Sequence, residues 1–125
     1  ADGLAHHLRR HVELAAGFAE RVDADERFEL LTPQHLNLVC LRVAGDDVAE
    51  ADARGEAAME AINRSGRAFL SHTRIDDRFV IRASIGQTHT EQVHVDALWD
   101  LLDAAIEGRP IEPRGLAGST RGEAR

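Results

Sequence analysis

The chain has 125 residues, a length that suits one domain with a modest hydrophobic core. Its formal net charge of -7 at pH 7 argues against a nucleic-acid-binding face and against docking on anionic lipid, because both need a basic surface. No apolar run approaches the roughly 20 residues that span a bilayer, and no apolar signal-peptide segment follows the first charges. The single cysteine, Cys40, cannot form an internal disulfide, which favours a reducing, cytoplasmic compartment.

The first half of the chain predicts a helix, two strands and a second helix. Apolar residues recur at helical spacing from Asp2 to about Val22. The stretch "RFELL" predicts a short strand, "TPQH" a turn, and "LNLVCLRV" a central strand, because it is apolar on both faces. Asp47 and Glu50 resemble a capping box for a helix to about Arg64. The residues expected to point inward on that helix are Val48, Ala51, Ala58, Met59 and Ile62.

Two further strands and a third helix complete the domain. The stretches "AFLSHTRI" and "RFVIRASI" are joined by "DD" and predict a β-hairpin. Thr88 and Glu91 fit a capping box for a helix to about Ile106, with Trp99 near its edge. The order α-β-β-α-β-β-α predicts an α+β domain over residues 1–107, with a mostly antiparallel four-stranded sheet and helices on one face. Residues 108–125 are rich in Gly, Pro and Arg and predict a flexible tail.

The histidines offer a weak case for a metal site. His7 and His11 have the i,i+4 spacing of two helical metal ligands. No H-E-x-x-H pattern and no third ligand accompany them, so polar residues beside an apolar stripe are the simpler interpretation. His89 and His94 lie on either side of a predicted helix start and are expected at the surface. We therefore predict no metal site.

The remaining reactive residues are also explained more simply by structure than by catalysis. His72 and Thr73 are neighbours in a predicted strand, so their side chains are expected on opposite faces of the sheet. Asp76 and Asp77 look like paired carboxylates, but Asp is common in turns between strands. Cys40 lies in an apolar run and is interpreted as a core residue. The chain contains no G-x-S-x-G elbow and no phosphate-binding glycine motif.

Arg42 and Arg82 need an explanation because each interrupts an otherwise apolar strand. A buried guanidinium is costly unless a carboxylate or backbone carbonyls bind it. The two residues either reach carboxylates within the domain or lie in a face that packs against a second domain, where Arg is favoured. The pattern leaves these alternatives open, and we treat Arg42 and Arg82 as candidate domain-interface residues.

Three stretches in this order, "LNLVCLRV", "INRSGRAFLSHTRIDDRFVIRASIG" and "THTEQVHVDALWDLL", carry a family resemblance. They resemble the C-terminal domain of the group II pyridoxal-phosphate-dependent decarboxylases, the aromatic-L-amino-acid decarboxylase family. The opening "GLAHHLRRHVELAAGFAERVDADERFELL" is similar to the helix and strand that enter that domain. One departure is the second predicted helix, where Gly55 is expected to cost roughly 1 kcal/mol relative to Ala.

The resemblance implies a fold-type I enzyme, usually a homodimer, that removes the α-carboxylate of an L-amino acid as CO2. Pyridoxal phosphate is bound there by a Lys Schiff base, a carboxylate and a stacking His, all in a large domain upstream of Ala1. The chain itself contains no Lys; all 15 basic residues are Arg. We therefore expect no catalytic or cofactor-binding residue here and an inactive isolated chain. The resemblance also implies that one sheet face meets the large domain, which favours an interface role for Arg42 and Arg82.

Two other classes of protein are kept as alternatives. The first is a free-standing α+β ligand-binding or regulatory module of ferredoxin-like arrangement, although no polar cluster in the sequence indicates its ligand. The second is a small metalloprotein that uses His7 and His11. A piece of a longer polypeptide is expected instead, since the chain does not begin with Met.

Overall fold

The computed structural model describes residues 2–31, 37–85 and 91–113, with side chains from residue 9 onward. These ranges confirm the predicted order α-β-β-α-β-β-α and the α+β class. The elements are α1 (Asp2–Ala24), β1 (Phe28–Leu31), β2 (Leu38–Val43), α2 (Val48–Ser65), β3 (Ser71–Ile75), β4 (Arg78–Ser84) and α3 (Gln92–Ile106).

The four strands form one antiparallel sheet in the order β1-β2-β4-β3. The apolar pattern that predicted a central strand is confirmed, because β2 pairs with β1 on one side and with β4 on the other. The predicted "TPQH" turn lies outside the described residues. Strands β1 and β3 are the two edges of the sheet.

All three helices contribute to one hydrophobic core against one face of the sheet, as predicted. Four of the five residues expected to point inward on α2 are buried. Val48 is the exception, with 46% of its surface exposed. It is the first residue of α2, and helical side chains point towards the N-terminal end, so Val48 projects past the helix. In α1 and α3 the core buries Leu14 and Val95 almost completely.

Gly55 allows α2 to lie close to the sheet. A Cβ atom at this position would be 3.3 Å from Cγ2 of Val43 and 3.5 Å from Cδ2 of Phe79. The intrinsic cost of glycine in a helix is thus offset by close packing of the helix against β2 and β4. Gly55, which departs from the expected helix composition, therefore serves the packing of α2 against the sheet.

Both ends of α2 agree with the sequence, but the next strand begins later than predicted. The Asp47 carboxylate accepts a hydrogen bond from the Glu50 N–H at 3.1 Å, and Gly66 ends the helix with φ 75°. The Asn63 side chain then binds both the N–H and the C=O of Leu70, at 2.7 and 2.9 Å. Because this amide takes the place of a strand neighbour, β3 begins at Ser71, after the first residues of "AFLSHTRI".

The predicted hairpin between β3 and β4 is confirmed, and its turn consists of Asp76 and Asp77. Both residues have positive φ, 53° and 63°. Positive φ at both central residues matches the two-residue type I′ turn, whose backbone twist suits a hairpin. The two carboxylates therefore belong to a turn, as the sequence indicated.

This turn gives a first prediction. Replacing Asp77 with Gly is expected to raise the free energy of unfolding by up to about 1 kcal/mol, because Gly adopts positive φ without steric cost. Replacing Asp77 with Val is expected to lower it by about 1–2 kcal/mol, because a β-branched residue is strained there. Urea unfolding followed by far-UV circular dichroism measures both. Equal stability of the Val variant and the unsubstituted chain would contradict the assigned turn.

The N-cap residue of α3 is Glu91, whereas the sequence predicted a capping box with Thr88 before the helix and Glu91 within it. The Glu91 N–H donates to Nδ1 of His94 at 2.8 Å, and the two residues form the capping box. Thr88 lies outside the described residues. Trp99 is half-buried at the edge of the core, as predicted, and packs edge-on against Phe18 and Phe28.

Arg27 lies at the centre of an ion-pair network that joins the start of β1 to the end of α3. Its guanidinium binds Asp25 at 2.7 Å, Asp103 at 2.9 Å and Glu107 at 3.0 Å. A hydrogen bond from the Arg27 side chain holds the pKa of Asp25 below its ordinary value. The pKa of Asp103 is also lowered, first by Arg109 and then by Arg27.

We predict that this network makes the domain sensitive to acid. A carboxyl group whose pKa is lowered in the folded state stabilises the fold at pH values above its unfolded pKa of about 3.8. That stability is lost as the pH falls through the folded pKa. Replacing Arg27 with Met is expected to lower the free energy of unfolding by about 1–2 kcal/mol at pH 7. Below about pH 4 the free energy of unfolding should decrease less steeply with falling pH in the variant than in the unsubstituted chain. Urea unfolding at several pH values measures this. An unchanged acid profile in the variant would contradict the role given to Arg27.

The residues that follow α3, up to residue 113, still contact the domain. Gly108 has φ 73°, the Arg109 N–H binds the Ala104 carbonyl at 2.8 Å, and Ile111 packs against the core. The domain boundary at residue 107 and the flexible tail over residues 108–125 stay predictions, and the part of that tail from residue 114 onward lies outside the described residues. No helix in the described part of the chain is long and apolar enough to cross a membrane.

Candidate functional site

The candidate functional site is the sheet face opposite the helices, which we call the open face. A second apolar cluster lies there, separate from the main core, and every described member of this cluster comes from a strand. The described helices bury their apolar residues against the other face. By strand register the open face consists of Glu29, Leu31, Leu38, Cys40, Arg42, Ser71, Thr73, Ile75, Arg78, Val80, Arg82 and Ser84. Arg78 lies at the start of β4, and its guanidinium binds Asp52 of α2.

The centre of the open face is apolar. Leu38, Cys40 and Val80 are buried, and Leu31 and Ile75 pack against them. Cys40 is only 2% exposed, and this burial raises the pKa of its thiol, an effect that the nearby charge of Arg82 partly opposes. Cys40 is therefore a core residue of this face, as the sequence indicated, and burial makes its thiolate scarce.

Arg42 reaches a carboxylate within the domain. Residues 29 and 42 are directly opposite each other on β1 and β2, and Nε of Arg42 lies 2.6 Å from Oε1 of Glu29. This is the first of the two alternatives that the sequence left open. The pair sits on the open face, so an internal partner and an interface position are compatible for Arg42.

Arg82 differs from Arg42 although it lies on the same face. Register places it opposite Cys40 on β2 and opposite Ser71 on β3, and its side chain is half-buried. No ion pair within residues 9–31, 37–85 and 91–113 involves Arg82. Its positive charge therefore lies next to an apolar cluster without a carboxylate from the described part of the domain.

The structure separates His72 from Thr73, as predicted. The His72 ring stacks on Phe79 at 5.0 Å, on the side of the helices, whereas Thr73 is opposite Val80 on the open face. Ser71 lies beside Arg82 across the β3–β4 pair. These positions bring no histidine of β3 next to a hydroxyl on the same face, so this hairpin forms no nucleophile–base pair.

The fold accounts for the histidines whose side chains are described in α1 and α3. His11 is buried in α1, and His94 forms the cap of α3. The structure describes neither the side chain of His7 nor any part of His89. Among the side chains described, no group of three or more His, Cys, Asp or Glu residues could hold a metal ion.

The residues of this chain do not fit pyridoxal phosphate. That cofactor is held through an imine to a Lys amine, and the sequence contains no Lys. Among the described residues, the open face likewise offers an apolar surface and the guanidinium of Arg82 in place of a phosphate-binding loop. No step of cofactor chemistry can therefore be assigned to these residues.

Comparison with known proteins identifies relatives for most of the chain. Tryptophan decarboxylase 2 of Oryza sativa is 39% identical over 103 residues, covering 81% of this chain and 21% of the relative. The 4-hydroxyphenylacetaldehyde synthase of Rhodiola rosea is 38% identical over 109 residues, covering 85% of the chain and 22% of the relative. A crystal structure of Oryza sativa tryptophan decarboxylase with PLP and tryptamine has a TM-score of 0.77 and 32% identity, covering 82% of the chain and 23% of that structure. No family model matches.

The chain spans about a fifth of the length of the curated relatives that it matches. Fold and sequence together define the class: an α+β domain homologous to the C-terminal part of pyridoxal-phosphate-dependent decarboxylases. The relatives include tryptophan and tyrosine decarboxylases as well as phenylacetaldehyde and 4-hydroxyphenylacetaldehyde synthases, in agreement with the group II family that the sequence motifs indicated. The comparisons do not favour the free-standing binding module.

Proposed function

We propose that this chain is the C-terminal small domain of a pyridoxal-phosphate-dependent decarboxylase that acts on an aromatic L-amino acid. The observation that carries the proposal is the alignment: 81% of the chain matches 21% of a tryptophan decarboxylase at 39% identity. In the parent polypeptide the cofactor, when bound, would act as the electron sink for loss of CO2. The proposal includes a homodimeric, cytoplasmic parent enzyme, with residues 1–107 as the small domain and residues 108–125 as a flexible tail.

In this proposal the chain contributes structure. The main core fixes the sheet, and the open face docks on the large, cofactor-binding domain of the same polypeptide. The open face suits this role because it combines an apolar centre with arginines, a composition typical of interfaces. Docking covers the half-buried side chains around the apolar cluster, whose centre is already buried within the chain, and holds the small domain against the substrate site.

The experiment is an assay of the native polypeptide, isolated from its host with an antibody to this domain. Intact mass should show a species longer by several hundred residues, which should release CO2 from L-tryptophan, L-tyrosine or L-phenylalanine. Because some relatives are aldehyde synthases, the assay should measure both amine and aldehyde products. The isolated 125-residue chain with added pyridoxal phosphate is the negative control.

Three outcomes would contradict the proposal. A native species of only this length would remove the cofactor domain and leave no Lys for the cofactor. A longer native polypeptide that binds pyridoxal phosphate but releases no CO2 from any aromatic amino acid would contradict the substrate class. Activity of the isolated chain would contradict the structural role assigned to it.

A further inference from the structure

We propose that Arg82 binds a carboxylate of the large domain and thereby fixes where that domain docks on the open face. The inference rests on the proposed function, because it requires that the open face is a docking surface. It goes further by naming the residue that sets the register of docking and the chemical group that it recognises.

The first argument is the charge balance of the open face. Its described charged residues are Glu29, Arg42, Arg78 and Arg82. Arg42 pairs with Glu29 at 2.6 Å, and Arg78 pairs with Asp52 of α2 at 3.0 Å. One positive charge, that of Arg82, remains on a face of a chain whose net charge is -7. A partner surface with a negative charge opposite Arg82 would therefore be complementary to this face, although the chain as a whole would repel it.

The second argument is the position of Arg82. It lies on an inner strand, opposite Cys40, which is 2% exposed, and two residues from Val80, which is fully buried. Arg82 itself is only half-buried, so a domain that docks on this face covers the part of its side chain that is still exposed and removes its water. A guanidinium buried without a partner is strongly unfavourable, whereas one held in a two-bond contact with a carboxylate is stabilised.

The chain itself supplies few carboxylates for this contact. Of its 22 Asp and Glu residues, only Asp2 and Glu123 have side chains outside the description. The other carboxylates form no ion pair with Arg82. A carboxylate from another part of the parent polypeptide therefore fits better than one from this domain.

A second copy of the chain suits the open face less well. If two copies met face to face around a two-fold axis, each open face, with the positive charge of Arg82 in excess, would meet an identical face. Like charges placed together at an interface are strongly unfavourable. We therefore assign the face to a carboxylate-bearing surface of the large domain.

The test uses a reporter thiol beside Arg82. Ser71 is exposed and lies opposite Arg82 on β3, so Ser71→Cys places a thiol at the edge of the predicted contact. Its alkylation rate is measured by peptide mass spectrometry in the isolated chain and in the full-length holoenzyme. The ratio of the two rates gives the protection by docking and cancels any direct effect of Arg82 on the thiol.

We expect docking to protect the thiol about tenfold or more in the holoenzyme and Arg82→Met to remove most of this protection, since about 1.4 kcal/mol corresponds to a tenfold change. Arg82→Lys keeps the charge and should retain part of the protection. Arg42→Met is the matched control, because Arg42 already has Glu29 as a partner. In the isolated chain, Arg82→Met should leave the melting temperature unchanged.

The experiment distinguishes a failure of the docking from a failure of the Arg82 contact. If the holoenzyme gives no protection at position 71, the docking in the proposed function is wrong and this inference falls with it. If protection persists in Arg82→Met, docking stands and the inference alone is wrong. A lower melting temperature of the isolated Arg82→Met chain would show an internal partner, and concentration-dependent protection in the isolated chain would show a second copy. Either result overturns the inference.

Discussion

Replacing Asp52 with alanine is expected to lower the free energy of unfolding by about 2–4 kcal/mol. Asp52 lies on α2, and its carboxylate accepts hydrogen bonds from Nε of Arg78 at 3.0 Å and from the Phe79 N–H at 3.1 Å. The Asp52 and Arg78 side chains are only 15% and 14% exposed. Loss of the carboxylate leaves a buried guanidinium and a backbone N–H without this partner at the junction of helix and sheet.

The same carboxylate adds to the expected acid sensitivity. Burial alone would raise the pKa of Asp52, but the Phe79 N–H and Arg78 outweigh it, and the pKa lies below its ordinary value. Stability from this group is therefore present above the unfolded pKa and is lost as pH falls through the folded one.

Urea unfolding at pH 7, followed by the fluorescence of Trp99, measures the effect. Asp96→Ala is the matched control, because Asp96 also binds an arginine, Arg21 at 2.7 Å, but is half exposed. Water can replace the partner of an exposed carboxylate, so the control should lose little stability. Equal losses in the two variants would contradict the importance given to burial of the Asp52–Arg78 pair.

Replacing Phe18 with alanine is expected to lower the free energy of unfolding by about 3–5 kcal/mol. Phe18 is 1% exposed and packs edge-on against Trp99, with ring centroids 6.1 Å apart. Removing its ring leaves a cavity between α1 and α3 that the surrounding side chains fill only in part.

The chain supplies a matched control for this substitution. Phe69 is 74% exposed, so Phe69→Ala removes the same ring from a site where it buries little apolar surface. Its effect is expected to stay within about 0.5 kcal/mol. Thermal and urea unfolding of the two variants measure the difference. If both substitutions cost the same, the assigned core position of Phe18 would be wrong.

Periodicity was sufficient to predict the sheet and its helical cover. The two-sided apolar run of β2 predicts a central strand, and "DD" between apolar runs predicts a two-residue hairpin turn. Such signals are local, because the spacing of a few residues fixes which way each side chain points. The strand pairing that places Arg42 and Arg82 on one face follows from these signals once the sheet order is known.

Interactions between distant residues could not be predicted in the same way. Nothing near Asp52 in sequence indicates that its carboxylate binds the start of β4, 26 residues later. The pairing of Arg42 with Glu29 needs the register of β1, and the cap of α3 by His94 needs the true start of the helix. The site at Arg82 is similar, since its lack of an ion pair becomes visible only when the described carboxylates are placed.

The Arg27 network has a consequence for the speed of folding. Its contacts to Asp103 and Glu107 join β1 to the end of α3, and the contact with Glu107 spans 80 residues. Contacts that close long loops cost much chain entropy before they contribute any stability, and we expect these to form after the folding transition state. Arg27→Met should therefore accelerate unfolding and leave the rate of folding nearly unchanged. The ion pairs that join the start of β1 to the end of α3 would then act mainly to keep the domain closed once it has formed.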